Sequence, residues 1–244
     1  MSPTKRLRIF AGPNGSGKST LVQLVKDLNV KLGVYVNADE IKVEIDKTGM
    51  LDFSQFSIIF DLDHLKDYYS KSSFYEKSGM SANGLNKVDN SLSFSENIVI
   101  DDYFVSFLAD YIRNSLLGFC DKFTFETVMS HPSKLDFIRM AKEKNYRIYL
   151  YYIALEDPDL NVRRVETRVS MKGHDVPSNK IVERYPKSMD MLLDAIRLAD
   201  KSFIFDNSGE KPIMIAHSDK DEISVLEEGN VPYWFKEYVL DKLG

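Results

Sequence analysis

The 244-residue chain has 43% hydrophobic residues, enough for one large domain or a domain with an elaborated insert, and too many for general disorder. Thirty-two Lys and Arg against 37 Asp and Glu give a net charge of −5, which argues against a dedicated binder of nucleic acid or of anionic membrane. The single cysteine, Cys120, excludes a disulfide framework and a thiolate metal cluster, and reads as a buried small hydrophobe. No apolar run approaches the ~18 residues of a membrane span. The opening "MSPTKRLRIF" lacks the apolar region of a signal peptide, so the expected setting is the cytoplasm.

In chain order, "LRIFAG" reads as a strand and "STLVQLVKDL" as the helix after it. "GVYVNAD" predicts a second strand and "DEIKVEI" a helix with an acidic first turn. Residues 52–96 break the rhythm. Their first half carries one helical stretch, "FDLDHLKDYYSK", and their second half is rich in Ser, Asn, Gly and Lys. They are expected to form a helical and irregular insertion with a mobile surface segment. "DDYFVSFLADYIRNSLLGF" returns to a helix, "KFTFET" is a strand, and "HPSKLDFIRMAKEKN" a helix with Pro132 in its first turn. "RIYLYYIAL" has the continuous apolar character of a central parallel strand. Two helices follow around the turn "KGHDVP", then the strands "KSFIFDNSG" and "KPIMIAHS", and a closing helix "VPYWFKEYVLDKL". The alternation predicts an α/β fold, a parallel sheet flanked by helices.

Gly12-Pro13-Asn14-Gly15-Ser16-Gly17-Lys18-Ser19 matches G-x-x-x-x-G-K-[ST] between a strand and a helix. Glycines permit the backbone conformations that turn successive N–H groups onto phosphate oxygens, and the helix start adds its dipole. Gly12 to Thr20 are therefore the expected cradle for ATP. Lys18 is expected on the β- and γ-phosphates, and the Ser19 hydroxyl on Mg²⁺.

The nearest candidate for the acid-ended apolar strand of a mechanical ATPase, "YLYYIALEDP", carries its acids past Ala154 and Leu155 in a loop. A kinase needs instead an acid beside the acceptor hydroxyl and cations over the moving phosphoryl group. Asp39, just past the second strand, lies where parallel strands face a ligand crevice, and is either a general base or the N-cap of the next helix. Glu126, at the end of "KFTFET", either orients Mg²⁺-bound water or a substrate hydroxyl, or is an exposed strand-end acid. Arg164 and Arg168 share a helix face, with Arg163 on an adjacent one and Arg184 beyond the polar turn. They are either solvated ion pairs or a lid that delivers charge to phosphate, joined by Lys172 and His174. His174 reads as a structural or substrate-side contact. His64, His131 and His217 have no metal-ligand spacing.

"AGPNGSGKST", "VNADEI", "FETVMS", "RVETRVSMKGHDVP", "IVERYPKSM" and "FDNSG" together resemble the zeta-toxin family of P-loop kinases, in its compact branch. The resemblance implies an adenylate-kinase-like core and ATP/Mg²⁺-dependent phosphorylation of a small hydroxyl substrate, which in zeta toxins is a UDP-N-acetylated amino sugar. It implies that Lys18 and Ser19 bind phosphate and Mg²⁺, that Asp39 is the general base, and that Glu126 and Thr127 position substrate. It also implies that Arg164, Arg168 and Arg184 stabilise charge within a lid at about 164–185, and that an antitoxin protein is a possible partner. The chain departs from many members at Val128, where they carry a hydroxyl, and at Lys172-Gly173-His174, where several carry Gly-Gly-His. A polynucleotide 5′-hydroxyl kinase and an ATP-regulated binding module remain as alternatives. Against the first stand the net negative charge and the lack of an aromatic-basic stripe.

Overall fold

The computed structural model describes residues 5–95, 98–171, 173, 175–220, 222–226 and 231–243. It divides into two compact units, one of residues 1–32 with 126–244, the other of residues 33–125.

The first unit is built on a sheet in the order β10-β9-β8-β7-β1. Strands β1 (Lys5–Ala11), β7 (Tyr146–Ala154) and β8 (Lys201–Asp206) run parallel, with Leu7 opposite Ile148 and Leu150 opposite Ser202. β9 (Ile213–Asp219) and β10 (Glu222–Val225) close that edge antiparallel. Two faces must be covered, and the sequence shows why: Leu7, Ile9, Ile148, Leu150 and Ile153 are all fully buried. Each side chain so buried is stabilising by about 1.5–3 kcal/mol. Helix α1 (Lys18–Asp27) packs Leu21, Val22 and Val25 onto β1 and β7. Helices α5 (Ser133–Glu143) and α8 (Leu192–Leu198) pack on β7 and on each other. α6 (Pro158–Ser170) and α7 (Ser178–Asp190) join through Val165, Val176 and Ile181. The last helix, α9 (Tyr233–Tyr238), buries Trp234, whose indole N–H donates to Asp206 at 2.8 Å. The expected α/β fold with a mostly parallel sheet is found. Strand β10 was not anticipated, and the single helix expected over 177–200 breaks at Met191 into α7 and α8.

In the second unit, β2 (Val34–Val36) runs parallel to the first part of β6 (Lys122–Thr127), with Val34 opposite Phe123; the last two residues of β6, Glu126 and Thr127, belong to the first unit. Helices α2 (Ala38–Thr48), α3 (Leu62–Ser70) and α4 (Asp102–Leu116) accompany a three-stranded antiparallel sheet in the order β3-β5-β4. Its strands are β3 (Met50–Asp52), β4 (Leu85–Val88) and β5 (Ser91–Phe94). The helical, irregular insertion expected over 52–96 is therefore corrected to a packed sheet-and-helix assembly. An aromatic cluster holds it together: Phe53 stacks on Phe60 at 4.3 Å, and Tyr69 meets Phe104 and Phe107 at 5.1 and 4.7 Å. Leu51, Leu65 and Leu92 are fully buried beside it. Arg113, 3% exposed, pairs with Asp110 and lies 4.7 Å over the Phe125 ring. Cys120 is corrected too: it is half-buried, its thiol donates to the Lys122 carbonyl, and burial pushes it up.

Candidate functional site

The phosphate loop begins where β1 ends. Gly12, Gly15 and Gly17 have φ of 142°, 75° and 100°, conformations that side chains rarely adopt. A Cβ on Gly12 would lie 2.0 Å from the Ile153 carbonyl oxygen of the neighbouring strand, so that position tolerates no side chain. Gly17 is the N-cap of α1, and no side chain caps that helix. Its first-turn N–H groups are therefore available to an anion. The Lys18 ammonium is drawn back across the loop by the carbonyls of Gly12 and Pro13, both at 2.9 Å. Ser16 is fully buried, and its hydroxyl has no partner among the described residues. A buried hydroxyl without a partner is costly, and a phosphate oxygen would satisfy it. These residues fit a polyphosphate. Pro13, Asn14 and Gly15 form the loop's turn; Thr20 follows, exposed on α1.

The Ser19 hydroxyl donates to Glu126 Oε2 at 3.4 Å. A hydroxyl and a carboxylate are the oxygen donors Mg²⁺ takes, with water and phosphate completing an octahedron. Among the described residues no cluster of three acidic, His or Cys side chains exists, and such a shell needs none. Glu126 is thus held against the loop as well as at a strand end. Thr127, expected toward substrate, accepts the Met129 N–H on its hydroxyl at 3.0 Å and is 9% exposed. It shapes the turn after β6, in which Met129 has φ of 55°. That turn is held from behind. Ser188 on α7 donates to the Val128 carbonyl at 2.5 Å, and Tyr152 reaches Ser188 at 3.0 Å. Burial pushes the Tyr152 phenol far up, so it stays neutral there.

The arginines separate by role. Arg164 donates to the carbonyls of Asn207 and Gly209 at 2.7 and 3.2 Å, which fastens α6 to the loop after β8. Its guanidinium is engaged by backbone, unlike the phosphate-facing lid cation expected from the sequence. Arg163 is exposed and donates to the Asp159 carbonyl at 3.4 Å. Arg168 lies seven residues after Asn161, whose side chain touches the loop at the Asn14 carbonyl, and so shares that helix face. Gly173 packs on it: a Cβ there would lie 2.5 Å from Arg168 Cγ. Arg184 is half-buried on α7, and its side chain makes no hydrogen bond among the described residues. Lys172 and His174 lie outside the described residues.

Asp39 belongs to the second unit. It is the second residue of α2 and exposed. The cap is Asn37, whose side chain accepts the Asp39 N–H at 2.9 Å. The choice left open by the sequence is thereby narrowed: Asp39 does not cap the helix. The other histidines have local roles, His64 with the Tyr111 hydroxyl at 3.1 Å and His131 with Ser133 at 2.9 Å. His217 pairs with Phe203 in the sheet.

Sequence reasoning missed Asn37, Asn161, Ser188 and Asn207. Asn207 stands inside the quoted motif "FDNSG", and Asn161 follows the start of α6, but neither carries a spacing that names its partner.

No protein-family model matches the chain, and no curated sequence does. Among solved structures, the AvrRxo1-ORF1:-ORF2 complex with ATP is similar at 16% identity and TM-score 0.55, over 92% of this chain and 61% of that one. The same complex with sulphate ions gives TM-score 0.54 at 16% identity, over 91% and 61%. This chain thus spans about 61% of the length of these two AvrRxo1-ORF1:-ORF2 structures. A structure from the PezAT chromosomal toxin–antitoxin system of Streptococcus pneumoniae is a weaker likeness, with TM-score 0.49 at 14% identity over 98% and 80%. No argument rests on it. Helices on a mostly parallel sheet, with the glycine-rich loop at the carboxyl end of β1, make up the fold that this chain is similar to in those structures.

Proposed function

We propose that the chain is a small-molecule kinase that moves the γ-phosphoryl group of ATP, with Mg²⁺, to a substrate hydroxyl. The observation that carries the reading is the loop itself: an uncapped helix start, a buried hydroxyl without a partner, and Lys18 drawn across the mouth, with Ser19 joined to Glu126. The likeness in fold to a complex solved with ATP supports the choice of nucleotide.

In this reading the loop N–H groups and Lys18 hold the β- and γ-phosphates, and Ser19 with Glu126 holds the Mg²⁺ shell. Mg²⁺, when bound, neutralises charge that develops on the phosphate oxygens. Asp39 accepts the acceptor's hydroxyl proton as its oxygen bonds to the γ-phosphorus, and the bond to the bridging oxygen breaks to release ADP. Arg168 and Arg184 answer the transition-state charge, and Arg164 holds the helix that carries Arg168. The motif resemblance favours a nucleotide sugar such as a UDP-N-acetylated amino sugar as acceptor, and an antitoxin as partner.

The test is ATP turnover across a panel of nucleotide sugars and metabolites, with products identified by mass spectrometry. Phosphate on a sugar hydroxyl supports the reading. Transfer to a labelled 5′-hydroxyl oligonucleotide would make the protein a polynucleotide kinase. ATP binding without transfer to any acceptor would make it a regulated binding module.

A further inference from the structure

Two asparagines grip the phosphate loop from elements far along the chain. Asn161 on α6 is fully buried and donates its Nδ2–H to the carbonyl of Asn14 at 2.5 Å. Asn207, just past β8 and 7% exposed, donates to the carbonyl of Ser16 at 2.9 Å. In a trans peptide the C=O and the following N–H point in opposite directions. A carbonyl drawn outward to an asparagine therefore turns the next N–H the other way. The two N–H groups so aimed belong to Gly15 and Gly17, two of the donors a phosphate cradle needs.

We propose that Asn161 and Asn207 are positioning residues that set the peptide orientation of the phosphate loop, and through it the affinity for nucleotide phosphate. The proposal rests on the reading that this loop binds phosphate.

Three further observations support it. The glycines beside the two gripped carbonyls are the ones packed on these asparagines. A Cβ on Gly17 would lie 2.5 Å from Asn207 Nδ2, and one on Gly15 would lie 2.5 Å from the Asn161 carbonyl oxygen. Glycine at 15 and 17 thus serves the contact as well as the positive φ. Second, Asn207 is itself braced. Its N–H donates to the Ala154 carbonyl at 2.9 Å, and its carbonyl accepts from Arg164 at 2.7 Å. Third, the grip leaves a buried polar residue inside the loop, the partnerless hydroxyl of Ser16, whose own carbonyl is the one Asn207 holds.

The test compares wild type with Asn161→Ala, Asn207→Ala and Asn207→Asp. Nucleotide-free amide exchange is read on a peptide covering 10–19, and MgATP binding is titrated separately. Each alanine variant should speed exchange in that peptide while β7 and β8 keep their protection, and should weaken MgATP binding about 10- to 100-fold. Asn207→Asp supplies a readout that lost packing cannot imitate. Ionised, the new carboxylate faces a carbonyl with no proton to donate; protonated, it regains a donor. Burial and the adjacent carbonyl raise its pKa. The ratio of variant to wild-type Kd should therefore fall toward one as pH falls through that raised value. Loop exchange at the wild-type rate, or an unchanged MgATP Kd, overturns the proposal. So does a pH-independent ratio for Asn207→Asp. If wild type itself fails to bind MgATP, the nucleotide reading falls, and the exchange measurement still decides whether the asparagines order the loop. Should Asn207→Ala not fold, Asn161→Ala and Asn207→Asp carry the same decision.

Discussion

Ser19 and Glu126, 107 residues apart in the chain, meet at 3.4 Å, hydroxyl to carboxylate. The first sits in the opening turn of α1 and the second near the end of β6. The pairing gives Glu126 → Gln a specific expectation. The amide keeps the shape and a hydrogen bond to Ser19 but loses the charge that favours Mg²⁺. The Mg²⁺ concentration for half-maximal turnover should rise about tenfold or more, with ATP affinity in the absence of metal little changed. Unchanged Mg²⁺ dependence would return Glu126 to the role of a strand-end acid.

Lys18→Ala removes the cation that Gly12 and Pro13 hold across the loop. Turnover should fall severely, while melting stays within a few degrees of wild type because Lys18 is only partly buried. Wild-type turnover in this variant would refute the loop assignment.

Asp39 and Asn37 allow chemistry and capping to be separated. Asp39→Asn should slow phosphoryl transfer about 10²–10⁴-fold. It should leave ATP binding and melting nearly unchanged, since the cap oxygen belongs to Asn37. Asn37→Ala should do the reverse, costing roughly 0.5–2 kcal/mol of stability from the lost cap. Near wild-type transfer by Asp39→Asn would make Glu126 the next candidate for the base.

The arginines should split in the same way. Arg168→Ala and Arg184→Ala should lower kcat more than they weaken ATP binding, because the charge they answer develops in the transition state. Arg164→Ala should instead lower the melting temperature, since two backbone carbonyls lose their donor. Equal losses of binding and rate in Arg168→Ala and Arg184→Ala would make them ground-state anchors.

In the second unit, the buried Leu92 of β5 predicts protection where composition alone predicts mobility. Amide exchange over 85–94 should be slow, and Leu92→Ala should cost about 2–5 kcal/mol, read by denaturant unfolding. Rapid exchange throughout that stretch would restore the irregular segment.

Local patterns carried the first unit far. A phosphate loop is a contiguous device, so its glycines, Lys18 and Ser19 were legible from spacing alone, as were the apolar strands β1 and β7. The resemblance through six short motifs pointed to the same fold. The insertion was not legible, because β3, β4 and β5 are three or four residues long and half polar. Strands that short signal themselves only through cross-strand partners and through an aromatic cluster that joins Phe53 and Phe60 to residues of α3 and α4. Asn37 and Asp39, with Ala38 between them, offer the same helix-start signal in the sequence, and only the folded backbone gives the cap to Asn37. Arg164 and Arg168 read alike at four-residue spacing. What separates them is a pair of carbonyls some forty residues onward, Asn207 and Gly209. Asn161 and Asn207 were hidden for the same reason. A hydrogen bond to a backbone carbonyl leaves no mark on the sequence of its acceptor, so only the folded chain shows which side-chain amides meet the carbonyls of Asn14 and Ser16.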